Sequence, residues 1–331
     1  MNQNVTITGT GVYVPKNKVY NDYFIEHFEK KGIDVNGLME HLGRRKRYLA
    51  DEGENSLTMG FEAAQDALKK QNMKPEELDM IVFVSDTPEY TFPTNALKLN
   101  KMLGAKNAHT VFDMNCNCIG MLTALDVVSR YAQSKVQIQN MLVVGSLHIS
   151  SVVNKNDSVV YPTFADSAAA VLLKNNCEEN RRGFLDSTVF TDAEYHDTIV
   201  MPPCGNSMRD RLSISEEEKK LRWTPFDFGF LSDNWSEIIE RLLERNHLNA
   251  EDVDHYIFSQ FSDPDNMLTL QKLGVGEDKY TFVGKEYGYT GVTSPIVALN
   301  RMWDMIAQKG KTIIFCSVAA GYSMTALLYR F

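Results

Sequence analysis

The hydrophobic pattern of the chain switches repeatedly between a period of two and a period of three to four. Residues 5–14 alternate as a half-buried strand does, and 81–84, 141–144 and 168–173 are short continuous apolar runs of the kind buried strands show. Helical patterns lie between them. Residues 21–42 are helical in composition but irregular, and Ser56 reads as the N-cap of a helix to about Gln71, with Met59, Ala63, Ala64 and Leu68 on one face. A further helix is expected after Pro93, to about Met102. Residues 111–125 read VFDMNCNCIGMLTAL. A β-branched and aromatic run ends there in small and polar residues, and Ile119, Met121, Leu122, Leu125 and Val128 then take helical spacing. The expected local structure is strand, tight turn, helix, with Cys118 at the mouth of the helix.

This order recurs. PEELDMIVFVS at 75–85 returns as AEDVDHYIFSQ at 250–260, an offset of 175 residues. CIGMLTALDVV before the strand MLVVGS returns as VTSPIVALNRM before TIIFCS, with Leu125 and Leu299 offset by 174. A repeat this long is no solenoid unit; it implies one duplicated α/β half-domain, which divides the chain into 1–176 and 177–331. Strands alternating with helices imply mixed sheets covered by helices. Two halves packed face to face would bury the helix that follows Cys118, with residues near 260, 289 and 320 as its second-half partners.

Composition narrows the class. At 331 residues the chain can bury a large core. A net charge of −9 and the lack of an extended basic stripe argue against a nucleic-acid partner. The densest basic cluster, Arg44 to Arg47, reads as a solvated or ion-paired turn. Five cysteines without framework spacing suggest a reducing compartment and no disulfides. With no signal peptide and no apolar run of transmembrane length, the expectation is a soluble, cytoplasmic protein. The histidines show neither His-x-x-x-His nor Cys-x-x-Cys companions, so no metal is expected. Gly9-Thr10-Gly11 is followed by more strand and Pro15 where a dinucleotide loop needs a helix, so it marks backbone geometry.

Among the cysteines, Cys118 has the setting of a nucleophile. A thiol at a helix mouth meets unpaired backbone N–H groups and the positive end of the helix dipole, and both favour the reactive thiolate. A buried structural cysteine is the plain alternative, and it suits Cys116 better. Cys177, Cys204 and Cys316 lack the setting altogether.

The segments that carry a family resemblance run in order through nearly the whole chain: GTGVYVP, GRRKRYLA, FPTNALKLNKMLG, FDMNCNCIGMLTAL, VVGS, FADSAAAVLL, YGYTGVTSPIVAL and AAGYSMTALLYRF. In that order the chain resembles the β-ketoacyl-ACP synthases III, the initiating condensing enzymes of fatty-acid synthesis within the thiolase superfamily. The resemblance implies a thiolase fold, α-β-α-β-α in layers, and makes Cys118 the acyl-accepting nucleophile. It assigns the oxyanion-hole N–H groups to Cys118 and Ala320, with Ala319 and Ala320 in place of glycines of a Gly-Gly-Gly turn. A backbone donor survives that change if the local dihedral angles suit alanine.

Several positions depart from the family. Its enolate-stabilising histidine falls on Gln260 and its asparagine on Tyr289, which puts decarboxylative condensation of malonyl-ACP in question. The tryptophan and arginine that clamp the CoA adenine fall on Gly37 and Ser151, and a basic carrier-docking residue falls on Asp265. Asp86 lies where the related HMG-CoA synthases place a general acid/base glutamate, so a carboxylate can shuttle protons; its alternative is a cap on the turn before Pro88. His148, His196 and His255 are weaker stand-in bases. Phe92, before Pro93, matches the segment that closes the acyl pocket of the partner in the family dimer.

Three readings result. The first is an acyltransferase or atypical condensing enzyme forming acyl-Cys118, in fatty-acid or polyketide-like biosynthesis. It takes acyl-CoA or acyl carrier protein as substrate, needs no cofactor and forms a homodimer or heterodimer. The second is a catalytically degenerate partner subunit of an active synthase. The third is an ordinary synthase III with a compensating residue.

Overall fold

The structure, a computed structural model, describes residues 1–41 and 43–331. Thirteen strands are present among them: β1 (Asn2–Tyr13), β2 (Asn17–Tyr20), β3 (Lys46–Leu49), β4 (Met80–Val84), β5 (Thr110–Met114), β6 (Asn140–Leu147), β7 (Ser167–Glu178), β8 (Gly183–Thr191), β9 (Ile199–Val200), β10 (Arg222–Trp223), β11 (His255–Phe258), β12 (Thr312–Ala319) and β13 (Ser323–Arg330). The helices are α1 (Asn21–Glu29), α2 (Asn36–His41), α3 (Ser56–Lys70), α4 (Asn95–Leu103), α5 (Gly120–Gln133), α6 (Val160–Thr163), α7 (Leu231–Arg245), α8 (Asp263–Leu273), α9 (Gly284–Tyr287), α10 (Ser294–Arg301) and α11 (Trp303–Ile306). The irregular segment expected over 21–42 is thus two short helices, and its last residue lies outside the described residues.

Two sheets carry the fold. The first has the order β1-β7-β6-β4-β5, with β4 parallel to both neighbours and β7 antiparallel to both of its own. The second has the order β11-β12-β13-β8, parallel only between β11 and β12. Because side chains alternate across a strand, each sheet feeds two cores. Met80, Val82 and Val84 of β4 pack centrally, while Ile81 and Phe83 pack against α3 and α4. On the second sheet Ile313 and Phe315 face the centre, and Ile314 and Cys316 face α7 and α8. The central core holds α5 and α10, which completes five layers, α-β-α-β-α, as the resemblance implied.

The halves repeat through most of their elements, β5 having no strand counterpart in the second sheet among the described residues. α3 begins at Ser56 and α7 at Leu231, and β4 at Met80 answers β11 at His255, each one repeat length apart. One boundary needs correction: β7 continues to Glu178, so the division expected after 176 falls inside a strand, and the turn at 179–182 is where one sheet hands over to the other. A second correction concerns α3, whose N-cap is Asn55; Ser56 is already helical.

The basic cluster also differs from expectation. Arg45 is exposed and Lys46 pairs with Glu286 at 2.6 Å, but Arg44 and Arg47 are buried. Arg47 donates from Nε to Pro162 O at 2.6 Å and lies over the Phe24 ring. Tertiary packing of β3 against α1 and α6 overrides the solvation that a run of four cations suggests.

Candidate active site

Cys118 lies in the single 3-10 turn Asn117–Ile119 that joins the end of β5 to α5. Asn117 holds the left-handed conformation, φ 50°, which asparagine tolerates better than most side chains. Its amide reaches Ala320 O at 3.3 Å, and so couples the nucleophile turn to the turn after β12. Gly120 lets the helix start close under β4: a Cβ there would stand 2.7 Å from Val84 Cγ1 and 3.1 Å from Val292 Cγ2.

A cavity of about 170 Å³ opens onto the sulfur. Cys118, Asp86, Tyr289 and Ala320 line it together, beneath a wall of rings that includes Phe164, Trp223 and Phe261. Trp223 is nearly parallel to Phe261, with 5.9 Å between ring centroids, and Tyr289 meets Phe261 edge-on at 5.2 Å. Trp223 arrives on the two-stranded ribbon of β9 and β10, inside the long connection between β8 and α7. Neither period of the hydrophobic pattern marks that connection, so the ring wall escapes a reading by periodicity. Its only signal is aromatic density, Trp223, Phe226, Phe228 and Phe230 within eight residues.

Asp86 follows β4 on a loop held from both sides. The Ser85 hydroxyl donates to Ser146 O at 2.7 Å, and Thr87 Oγ1 accepts from the His148 N–H at 2.8 Å. The Asp86 Oδ1 atom is buried and has no hydrogen-bond partner among the described residues. Loss of water pushes its carboxyl up to about 6.

Cys118 itself departs from expectation. Burial, followed by the Asp86 charge, pushes the thiol up to about 12. The Tyr289 hydroxyl and the N–H groups of Ala320 and Cys118 pull the other way without prevailing. The helix mouth is present, but desolvation outweighs it. Burial and the neighbouring sulfur likewise hold the Tyr289 phenol well above its ordinary value. The alanines at 319 and 320 cause no strain: Gly321 alone in this turn takes a left-handed φ, 112°.

Other expected site residues lie elsewhere. Gln260 is buried beside the cavity with its amide committed inward: Oε1 accepts from the Val283 and Gly284 N–H groups, and Nε2 donates to Phe258 O at 2.9 Å. It splices β11 to the segment before α9, and Phe261 lines the cavity in its stead. Gly37 is exposed on α2, and Ser151 is exposed with its hydroxyl bonded to His148 O, so neither meets the cavity. Phe92 projects away from this chain, 85% exposed. His148, His196 and His255 are outside the lining; His255 is buried on β11, and burial lowers its imidazole to about 4. Cys116, Cys177, Cys204 and Cys316 are likewise outside it.

Two similar α/β halves, with a cysteine where the buried helix of the first half begins, define the thiolase-fold class of condensing enzymes. Sequence models described as 3-oxoacyl-[acyl-carrier-protein (ACP)] synthase III and as its C-terminal part match residues 112–193 and 243–331, together more than half of the chain. β-Ketoacyl-[acyl-carrier-protein] synthase III 1 of Bacteroides thetaiotaomicron is 29% identical, over 99% of this chain and 96% of the relative. The 3-oxoacyl-[acyl-carrier-protein] synthase III of Aquifex aeolicus superposes with a TM-score of 0.85 at 25% identity, covering 99% of this chain and 100% of that one. The priming β-ketosynthase of the R1128 polyketide pathway shares the fold, with a TM-score of 0.87 at 21% identity over 100% of this chain and 97% of its own. The chain belongs to the 3-oxoacyl-[acyl-carrier-protein] synthase III family. No helix among the described residues is long and apolar enough to cross a membrane.

Proposed function

We propose that the protein is an acyl-thioester-dependent acyltransferase of the condensing-enzyme type, acting in the cytoplasm in fatty-acid or polyketide-like biosynthesis. Acyl-CoA or acyl carrier protein supplies the acyl group, no cofactor takes part, and Cys118 carries the group to an acceptor. The observation that supports this most is the convergence on one cavity of Cys118, the Ala320 N–H at its sulfur and the Asp86 carboxyl. As the sulfur attacks the thioester carbon, the N–H groups of Cys118 and Ala320 are the donors for the oxyanion. Asp86, poised at about 6, accepts the thiol proton at neutral pH and returns it to the departing thiolate. The names of the relatives, synthases of acyl-carrier-protein substrates, support a carrier protein as partner.

Decarboxylation of malonyl-ACP at an ordinary rate is not part of this reading. Gln260 holds its amide away from the cavity, and the Tyr289 ring occupies space at the sulfur. Loss of one positioned donor alone costs about a hundred- to a thousand-fold. A second reading, a silent partner subunit, draws on the same Gln260 and on the thiol held up to about 12.

Intact-mass spectrometry after incubation with acyl-CoAs and acyl carrier proteins decides between the two. The expected result is one acyl adduct, mapped to Cys118 and abolished in Cys118→Ala. An adduct that persists in that variant overturns the assignment of Cys118. The absence of any adduct from the whole panel favours the partner subunit.

A further inference from the structure

Residue 320, which supplies one N–H to the oxyanion, sits at the tip of a hairpin that does little to hold it. β12 and β13 are paired down to Ala319 and Ser323, so Ala320, Gly321 and Tyr322 close the turn. Tyr322 is tied from outside: its N–H donates to Asp192 O at 3.1 Å, and its carbonyl accepts from the Asp192 N–H at 2.9 Å. Gly321, at φ 112°, has no side chain to pack and accepts either sign of φ, so it leaves the tip free to pivot. Among the described residues the Ala320 carbonyl accepts one hydrogen bond, from Asn117 Nδ2 at 3.3 Å. Asn117 is itself held. It precedes Cys118 in the 3-10 turn, and its N–H donates to Asn115 Oδ1 at 2.9 Å. Asn115, Asn117, Cys118 and Ala320 all line the one cavity. A single side chain therefore bridges the turn that presents the sulfur and the tip that presents the N–H.

We propose that Asn117 is a positioning residue for acyl transfer: by holding the Ala320 carbonyl it keeps the Ala320 N–H aimed at the oxygen that becomes charged. The inference rests on the acyl-Cys118 reading. The carbonyl and the N–H of residue 320 belong to the two rigid peptide planes that meet at one Cα, so anchoring the first restricts the second. The left-handed φ of 50° at position 117 alone would be met by glycine; asparagine tolerates it and adds the amide.

Asn117 forms and breaks no covalent bond. In acylation the Sγ–carbon bond forms, one electron pair of the thioester C=O moves onto oxygen, and the thiol proton passes to Asp86. The oxyanion is met by the N–H groups of Cys118 and Ala320. Collapse restores the C=O and breaks the bond to the donor sulfur, and the departing thiolate takes the proton from Asp86. In transfer the acceptor gives its proton to Asp86 and bonds to the carbonyl carbon, so a second oxyanion arises at the same place. Cys118 then leaves as a thiolate and recovers the proton. A donor already in position costs no reorganisation when either charge appears. A tip free to pivot would have to be fixed at each turnover.

Two reagents that meet the same sulfur separate this role from the placement of Cys118. p-Nitrophenyl acetate acylates it through an oxyanion, whereas iodoacetamide alkylates it by displacement of iodide at a saturated carbon and forms none. A change in thiolate availability moves both rates alike, so their ratio at Cys118, followed by peptide mapping, reads the oxyanion hole. Asn117→Gly keeps the left-handed φ accessible and removes the amide. In that variant the ratio of acylation to alkylation is expected to fall about ten- to a hundred-fold, the scale of a small misplacement at a reacting centre. Asn117→Asp keeps the shape, but its ionised carboxylate cannot donate to the Ala320 carbonyl, and the ratio should fall there too. Should Asn117→Gly fail to fold, Asn117→Asp decides. A ratio equal to the parent's in the folded variants, whether both rates drop together or neither does, overturns the proposal. A parent alkylated at Cys118 yet acylated by neither the ester nor any thioester of the panel overturns the acyl-enzyme reading instead.

Discussion

A carboxyl held in a cavity, with no partner for one oxygen among the described residues, destabilises the fold whenever it is ionised. Asp86 has an ordinary value of 3.8 unfolded and about 6 folded, so between the two the folded chain binds the proton more tightly. The contribution of Asp86 to stability is therefore present at low pH and is lost as pH rises through about 6. Asp86→Asn, of the same shape but without ionisation, should melt higher than the parent at pH 8, with the gain shrinking toward pH 4. The same substitution should leave a folded protein that transfers acyl groups much more slowly. Thermal melts at three pH values, with a transfer assay, check both. At this scale the sequence was informative wherever a segment order located a residue, as for Cys118, Tyr289 and Ala320. It was uninformative about which way a side chain turns. Gln260 Oε1 and the Arg44 guanidinium depend on N–H or carbonyl groups some 20 to more than 200 positions away, and no local pattern contains those partners.

Among the elements, α3 shows how local chemistry fixes a start. Asn55 Oδ1 accepts from the Leu57 and Thr58 N–H groups at 3.0 Å each, and Thr58 Oγ1 accepts from the Asn55 N–H at 2.8 Å. This reciprocal cap sits on a helix that covers the first sheet through Met59, Ala63, Ala64, Ala67 and Leu68. Asn55→Ala should lower unfolding stability by about 1 kcal/mol, visible as a lower urea midpoint at unchanged slope. Strands and helices that follow one period were legible within a few residues, because burial on one face dictates the spacing. The ribbon of β9 and β10 was not, since its side chains are positioned by the cavity they cover.

At the level of the whole molecule, duplication was the most legible feature, because α5 and α10 occupy one shared layer and each half must present the same apolar face. Association is an expectation that the resemblance alone supplies. The first sheet ends at β5, whose outer edge is unpaired among the described residues, with Leu97 and Met102 of α4 and the Phe92 side chain exposed nearby. An open edge flanked by apolar side chains invites a second copy. Sedimentation velocity should give twice the 37.5 kDa chain mass, and Leu97→Glu should shift the population toward the single chain. A parent that sediments as a single chain at micromolar concentration would count against this association.

The contact of Gly120 with Val292 has an evolutionary consequence. Val292 stands one repeat length after Cys118, at the place where the second copy would carry its own nucleophile, and it is fully buried. Its methyl group would lie 3.1 Å from any Cβ at 120. The second half thus presents an apolar wedge where the first half presents its thiol. Gly120 has nothing to give up, and a Cβ there would also stand 2.7 Å from Val84 Cγ1. A descendant of this chain can therefore enlarge position 120 only once both 84 and 292 have shrunk, and the two halves are no longer free to diverge independently at this seam.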